Sequence, residues 1–180
     1  MLYSELQCSE AIHKAVERMG FAEMTEIQEK TIPVMLAGHD VIAKAPTGTG
    51  KTCAFGIPVA EHILPENKYP QAIIMAPTRE LAQQIAEELS NLTYFMPEVQ
   101  VACVYGGANM EKQAKRLAEG CQIVVATPGR LMDHYKHHSI DISHVTQIVL
   151  DEADEMLNMG FYKDVRHIIE MMKARKALSM

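Results

Sequence analysis

The chain has 180 residues, of which 48% are hydrophobic and 22% charged, as expected for one globular domain that buries a core. Its net charge of −6 excludes nucleic-acid binding through an overall basic surface, so any such site must be local. We see neither an apolar run long enough to span a membrane nor a signal peptide, and we expect a cytoplasmic protein.

Short apolar runs rich in β-branched residues alternate with helical patterns along the chain. Helical patterns occupy 9–19, where Ser9 is a potential N-cap, and recur after Thr78 and at 162–172. Strands are predicted at 41–45, 72–76, 99–105, 122–127 and 147–151, with another beginning at 176–180. Strands that are apolar nearly throughout are buried on both sides, so the pattern predicts an α/β domain: a mostly parallel sheet with helices on both faces.

The segment APTGTGKT follows the predicted strand at 41–45 and precedes a helical run. Gly48 and Gly50 let the backbone curl so that its N–H groups face a phosphate, and the next helix adds positive partial charge. In this P-loop pattern Lys51 reaches the β and γ phosphates, and the Thr52 hydroxyl holds Mg²⁺. The predicted loop comprises Ala45, Pro46, Thr47, Gly48, Thr49, Gly50, Lys51 and Thr52. The strand-loop-helix context argues against the alternative, an ordinary glycine-rich turn.

Three carboxylates, Asp151, Glu152 and Asp154, follow the apolar run at 147–150. Ligands of parallel sheets bind beyond the carboxyl ends of the strands, so these acids are expected at the phosphate loop. Asp151 is predicted to orient the metal, and Glu152 to act as the general base toward the attacking water. A divalent cation and a helix N-terminus would offset their mutual repulsion. An acid-rich helix start is the alternative, which the phosphate loop in the same chain disfavours.

Other notable residues are predicted to be structural. The histidines of DHYKHH, at 133–138, are interpreted as a solvated helix end without a metal role. The cysteines Cys8, Cys53, Cys103 and Cys121 lack the spacing of a metal site and are interpreted as structural thiols. The segment LPENKYP at 64–70 is expected to be a loose loop.

The DEAD sequence at 151–154, behind APTGTGKT, makes the chain resemble the first RecA-like domain of the DEAD-box RNA helicases. GFAEMTEIQ, at 20–28, resembles the Q motif of that family. The resemblance implies that Phe21 stacks on adenine and that Gln28 hydrogen-bonds its polar edge, which selects ATP over GTP. Tyr3 matches the upstream aromatic residue of the motif, while Met24 stands where the family usually has proline. The implied adenine site is Tyr3, Phe21, Glu23, Thr25 and Gln28.

Three further segments, PTREL at 77–81, GG at 106–107 and TPGR at 127–130, resemble the RNA-contacting motifs of the family. Each follows a predicted strand and offers hydroxyls, backbone amides or an arginine, which bind phosphates and 2′-hydroxyls without reading bases. The implied RNA contacts are Pro77, Thr78, Arg79, Gly106, Gly107, Thr127, Pro128, Gly129 and Arg130. Sequence-independent binding of the RNA backbone is therefore expected.

The resemblance implies one N-terminal RecA-like domain over 1–180, with a Q-motif region at 1–30 and a P-loop NTPase core at 31–180. We expect the SAT motif and the second RecA-like domain of the family, with its arginine fingers, to be missing from this chain. Asp154 would bond to that coupling segment. The expected molecule is a monomer that binds ATP or ADP with Mg²⁺, turns ATP over slowly and does not unwind RNA alone. In a complete protein, hydrolysis would be coupled to local unwinding or to remodelling of RNA–protein complexes.

Two other functions are weighed against this one. A DNA helicase, or another P-loop motor of the same superfamily, is disfavoured by the Q-motif spacing from Phe21 to Gln28 beside a literal DEAD sequence. A non-catalytic ATP-dependent interaction module is disfavoured because Lys51, Thr52 and both Asp151 and Glu152 are intact.

Overall fold

The computed structural model describes residues 1–172 and the backbone of 177–179. Within these residues the strands form one parallel sheet. They are β1 Ala72–Met75, β2 Val101–Val104, β3 Ile123–Ala126, β4 Gln147–Leu150 and β5 Ala177–Ser179. The spatial order is β2-β3-β1-β4-β5, and Ile73 pairs with both Val124 and Ile148 across β1. The other predicted ends of the last strand, at 176 and 180, lie outside the described residues.

Helices cover both faces of the sheet. They are α1 Glu10–Arg18, α2 Glu26–Leu36, α3 Lys51–Glu61, α4 Arg79–Leu92, α5 Met110–Ala118, α6 Pro128–Lys136, α7 Ala153–Asn158 and α8 Tyr162–Met171, with a short 3-10 turn at Tyr3–Glu5. Neighbouring residues of each strand point to opposite sides. Ile74 packs with residues of α1 to α4, whereas Ile73 packs with residues of α5 to α8. The predicted α/β class with helices on both faces is therefore confirmed.

The predicted helices form close to their expected bounds because their ends are capped locally. Ser9 precedes α1, and its Oγ accepts a hydrogen bond from the Ile12 amide at 3.4 Å. Thr78 precedes α4 and accepts from the Leu81 amide at 3.2 Å. Such caps satisfy backbone donors that the first helical turn leaves unpaired. No helix in the described part of the chain is both long and apolar enough to cross a membrane.

The prediction of a strand at 41–45 is wrong. In the described structure this segment contributes only an isolated bridge at Val41, and the Ile42 side chain is 83% exposed. Apolar, β-branched composition favours a strand only where a neighbouring strand offers partners for its backbone groups. The phosphate loop is therefore entered from an irregular segment, although the helix that follows the loop forms as predicted.

The histidine segment at 133–138 is corrected in part. His137 and His138 are exposed, as predicted for a solvated helix end, but His134 is 0% exposed. The reason is helical periodicity: His134 lies three residues after the buried Leu131, on the face of α6 that packs inward. The segment 64–70 has neither helix nor strand, yet it is anchored, because the Gln71 side chain bonds to the backbone of Leu64 and Asn67.

Candidate nucleotide and RNA site

The predicted phosphate loop is curled by two glycines in the left-handed region. Gly48 has φ +81° and Gly50 has φ +80°, and α3 begins directly at Lys51. The Thr49 hydroxyl donates to the Pro46 carbonyl oxygen at 2.7 Å and closes the turn. Because α3 starts at the end of this turn, its unpaired N–H groups are available to a phosphate.

The acidic segment after β4 shares a cleft with this loop. The cleft has a volume of about 570 Å³, and its lining includes Thr47, Lys51, Asp151, Glu152 and Asp154. Glu152 has φ 52° and ψ 51°, a left-handed conformation that side chains other than glycine rarely adopt. Backbone strain of this kind clusters at functional sites. The structure thus brings the predicted lysine and both predicted catalytic carboxylates to one place.

Partial burial raises the pKa of two carboxylates at and near this cleft. It raises the pKa of Asp151, with Lys51 opposing the rise and the neighbouring Glu152 adding to it. Burial likewise raises the pKa of Glu88 in α4, where a hydrogen bond with the Thr52 hydroxyl opposes the rise and Asp151 adds to it. Asp151 thus lines the cleft, and both it and Glu88 are half-buried carboxylates.

Glu88 is a carboxylate near the predicted metal ligands that the sequence patterns do not single out. It lies within the helical pattern predicted after Thr78, which forms α4. A carboxylate at a position that faces inward was the available signal, because an acidic side chain is rarely buried without a partner.

The predicted metal ligands are of the chemical kind that Mg²⁺ prefers; Asp151 lines the cleft, and Thr52 follows Lys51 in α3. The Thr52 hydroxyl and the Asp151 carboxylate are oxygen donors, which this ion prefers, and nearby negative charge is what a cation would offset. Within the described residues there is no cluster of three or more His, Cys, Asp or Glu side chains that could hold a metal. Mg²⁺ commonly retains waters and binds substrate phosphates, so it needs few ligands from the protein.

Two of the predicted adenine-site residues, Thr25 and Gln28, are hydrogen-bonded to the phosphate loop. Gln28 is 3% exposed; its Oε1 accepts from the Tyr3 hydroxyl at 2.5 Å and the Thr25 amide at 2.9 Å, and its Nε2 donates to the Gly50 carbonyl at 3.0 Å. The Thr25 hydroxyl donates to the Thr49 carbonyl at 2.8 Å. Gln28 thus makes internal contacts, and its contact with adenine stays a prediction.

Phe21 is an exposed aromatic residue of the predicted adenine site, and its stacking on adenine stays a prediction. Its side chain is 45% exposed, and its ring lies beside that of the buried Tyr3, with centroids 6.5 Å apart and planes at 24°. Glu23 forms an isolated antiparallel bridge with Leu2, which ties the N-terminal residues to this loop. Met24, at the usual proline position, is buried and its amide donates to the Met1 carbonyl at 2.9 Å.

The three predicted RNA segments follow β1, β2 and β3 and therefore lie at one edge of the sheet. Arg79 is exposed, as are Gly106 and Gly107, the latter with φ +84°. Thr127 and Pro128 are buried, Gly129 is half-buried, and the Arg130 side chain is 14% exposed. In PTREL, Pro77 is buried and Thr78 half-buried, so the exposed groups at this edge are Arg79 and the GG pair, whereas TPGR is mostly covered. Asp154 is exposed at the neighbouring cleft, and its coupling role stays a prediction.

Comparison with known proteins gives one matching family and several similar relatives. Residues 25–180 match the family model described as DEAD/DEAH box helicase. The chain is 52% identical over 170 residues to the ATP-dependent RNA helicase CshA of Limosilactobacillus reuteri, covering 94% of this chain and 34% of that protein. It is 50% identical over 174 residues to CshA of Listeria monocytogenes, covering 97% of this chain and 33% of that protein.

A solved structure shows the same fold. The crystal structure of a DEAD box protein from the hyperthermophile Methanococcus jannaschii superposes with a TM-score of 0.91 at 40% identity, covering 99% of this chain and 49% of that one. The chain spans about a third of the length of the curated relatives it matches. With its motifs, its fold and the family match over most of its length in agreement, the chain belongs to the DEAD/DEAH box helicase family.

Proposed function

We propose that this chain is the N-terminal RecA-like domain of an ATP-dependent RNA helicase, which binds ATP or ADP with Mg²⁺ and holds the RNA backbone. The observation that carries the proposal is the shared cleft, where Lys51 at the start of α3 meets Asp151 and Glu152 after β4. The division into a Q-motif region at 1–30 and a nucleotide-binding core at 31–180 belongs to the same proposal. In a longer protein the domain would couple ATP hydrolysis to local RNA unwinding or remodelling.

The nucleotide is proposed to bind across the phosphate loop. Backbone N–H groups of the loop and the start of α3 hold the phosphates, and Lys51 offsets their charge. The exposed ring of Phe21 stacks on the adenine, with Tyr3 packed behind it. Glu23, Thr25 and Gln28 complete that end of the site, with Gln28 linking it to the loop through Gly50.

Hydrolysis is proposed to depend on the two acids after β4. Thr52 and Asp151 would hold Mg²⁺. When bound with the nucleotide, this ion would neutralise part of the phosphate charge. Glu152 accepts the proton of the attacking water as general base. The left-handed backbone of Glu152 at the start of α7 defines the point from which its carboxylate side chain extends.

The 180 residues alone are proposed to turn ATP over only slowly. An arginine finger supplied across a domain interface contributes about 10³ to 10⁵ in rate in related phosphoryl transfers. Calorimetry with Mg²⁺ should show ADP binding in preference to GDP, and ATP turnover should stay at background with or without single-stranded RNA. Equal binding of GDP would remove the proposed role of the Q motif, and RNA-stimulated turnover would show that the finger is not required.

The RNA part of the proposal predicts discrimination between sugars. Contacts from PTREL, GG and TPGR to the backbone would include 2′-hydroxyl groups, so RNA should bind more tightly than DNA of the same sequence. Equal affinity for single-stranded DNA would support the alternative of a DNA motor. In a chain that includes a second RecA-like domain, Glu152→Gln should abolish hydrolysis while leaving ATP binding intact.

A cytoplasmic location is part of the proposal. The four cysteines are free thiols, as expected for a reducing compartment. Burial raises the pKa of Cys53 to about 12 and that of Cys8, Cys103 and Cys121 to about 11, which keeps them protonated and unreactive. Their structural interpretation agrees with this environment.

A further inference from the structure

Gln113 in α5 joins two of the proposed RNA segments. It is 8% exposed, and its Nε2 donates to the Tyr105 carbonyl oxygen at 3.0 Å, directly before the GG pair. Its Oε1 accepts from Arg130 Nη1 at 3.1 Å and lies 3.0 Å from His134 Nε2, both in α6. One buried amide therefore bonds the loop after β2 to the helix that begins in TPGR.

Arg130 determines the orientation of this amide and of the histidine. A guanidinium can only donate, so the Gln113 oxygen, rather than its nitrogen, must face Arg130. The same oxygen then faces His134, whose Nε2 must carry the proton, while Nδ1 is buried with no hydrogen-bond partner in the described structure. The network thus has one consistent arrangement of donors and acceptors, as expected of a part that fixes geometry.

Arg130 supports the GG loop from inside the protein. Its Nη1 also donates to the Ala108 carbonyl at 2.9 Å, and its Nε is buried without a hydrogen bond among the described residues. The Asp133 carboxylate lies 3.8 Å from that Nε. A buried, charged donor that meets a loop carbonyl holds this carbonyl strongly, because charge-assisted hydrogen bonds are the stronger ones.

Tyr105 extends the network to the third segment. The Arg79 guanidinium lies over the Tyr105 ring, 4.8 Å from its centroid, and the tyrosine hydroxyl accepts from Gln83 Nε2 at 3.1 Å. PTREL therefore contacts the ring of the residue whose carbonyl Gln113 holds. A continuous series of contacts runs from Arg79 through Tyr105 and Gln113 to Arg130.

We propose that Gln113 is a positioning residue of the RNA site, holding the loop 105–108 at a set distance from Arg79 on one side and Arg130 on the other. The inference rests on the proposed function, since it concerns the same RNA surface. Phosphates along an RNA backbone are regularly spaced, so groups that bind several of them must be held rigidly by residues behind them.

The test is the RNA affinity of Gln113→Met, a change that keeps the length of the side chain and removes its hydrogen bonds. Titration of a short fluorescein-labelled oligouridine should show affinity about tenfold weaker than wild type, the equivalent of one charge-assisted hydrogen bond. ADP affinity should stay unchanged, because the nucleotide cleft lies beside other elements. RNA affinity equal to that of the wild type would overturn the inference.

Gln122→Met is the matched control. Gln122 is also buried, and its side chain bonds to Pro65, Glu98 and Gln100, but it precedes β3 and lies at the opposite edge of the sheet. It should lose comparable stability and keep its RNA affinity. If both glutamine variants weakened RNA binding equally, the effect would be one of general stability and the inference would be wrong.

A double mutant separates a positioning role of Gln113 from an effect on general stability. If Gln113 acts through Arg130, adding Gln113→Met to Arg130→Met should weaken RNA binding no further, whereas an unrelated effect would add.

Gln113→Glu keeps both acceptor contacts and serves if the methionine variant fails to fold. It should bind RNA less tightly than wild type, and NMR should show the His134 pKa raised by the new charge. An unchanged RNA affinity in this variant would contradict the inference. Wild-type protein that binds no RNA would instead refute the proposed function, and the inference with it.

Discussion

Gly50 is the residue at which the Q-motif region and the phosphate loop meet. It has φ +80°, and a Cβ built on it would lie 2.3 Å from Gln28 Nε2. Gly20 has nearly the same backbone, φ +82°, with nothing within 4 Å of its Cβ position. The pair separates backbone strain from the loss of a contact, because both substitutions share the first effect and only one has the second.

We predict that Gly50→Ala destabilises the protein more than Gly20→Ala. The left-handed conformation costs either variant about 1–2 kcal/mol, and Gly50→Ala should lose about 1 kcal/mol more with the bond from Gln28. Thermal melts measure this, at roughly 2–4 °C per kcal/mol for a chain of this size. Equal losses of Tm would show that the Gln28 contact contributes nothing to stability.

His134 should make the stability of the protein depend on pH. Burial lowers its pKa from 6.5, and Arg130 lowers it further. As the pH falls below 6.5, the unfolded chain binds the proton first, so the folded state loses stability until the lower folded pKa is passed. Melts through this range should show wild type losing Tm on acidification more than His134→Gln does. The exposed His137→Gln should behave like wild type; identical curves for all three would contradict the prediction.

At the scale of elements, α4 illustrates a helix whose start is also a candidate ligand contact. The Thr78 hydroxyl accepts from the Leu81 amide, so it caps the helix whether or not it also meets RNA. Thr78→Ala should cost about 1 kcal/mol of stability, the usual loss of an N-cap, and Thr78→Ser should restore most of it. Chemical denaturation without RNA measures the cap alone. An alanine variant as stable as wild type would mean that water replaces the cap.

The way in which helices and strands are stabilised also explains why the strand predicted at 41–45 does not form. A helix is stabilised by bonds within one segment, so composition and caps predict it well. A strand depends on a neighbour from elsewhere in the chain, and Ile42 remains 83% exposed despite its β propensity. The positions of α1, α4 and α8 were therefore predictable, whereas the state of the segment before the phosphate loop was not.

At the scale of the whole molecule, we predict that Mg²⁺ and ADP stabilise the fold together. A ligand at about 100 times its Kd adds about 2.7 kcal/mol, which corresponds to a rise in Tm of roughly 5–11 °C. Removing Mg²⁺ with EDTA should abolish most of this rise in Tm. Thr52→Val, which keeps the shape and loses the hydroxyl, should show the reduced rise even with Mg²⁺ present. A full rise in that variant would remove Thr52 from the metal site.

Sequence by itself determined the helices α1, α3, α4 and α8, the glycine turn at 48–50 and the position of the acids after β4, because glycine conformations, caps and apolar runs act within a few residues. It also indicated the family, whose motifs are contiguous strings. Only the tertiary structure decided that Gln28 meets Gly50 and that Gln113 meets Arg130. These partners are far apart in the chain and are brought together by the order of parallel strands and the packing of helices on them, which no local pattern specifies.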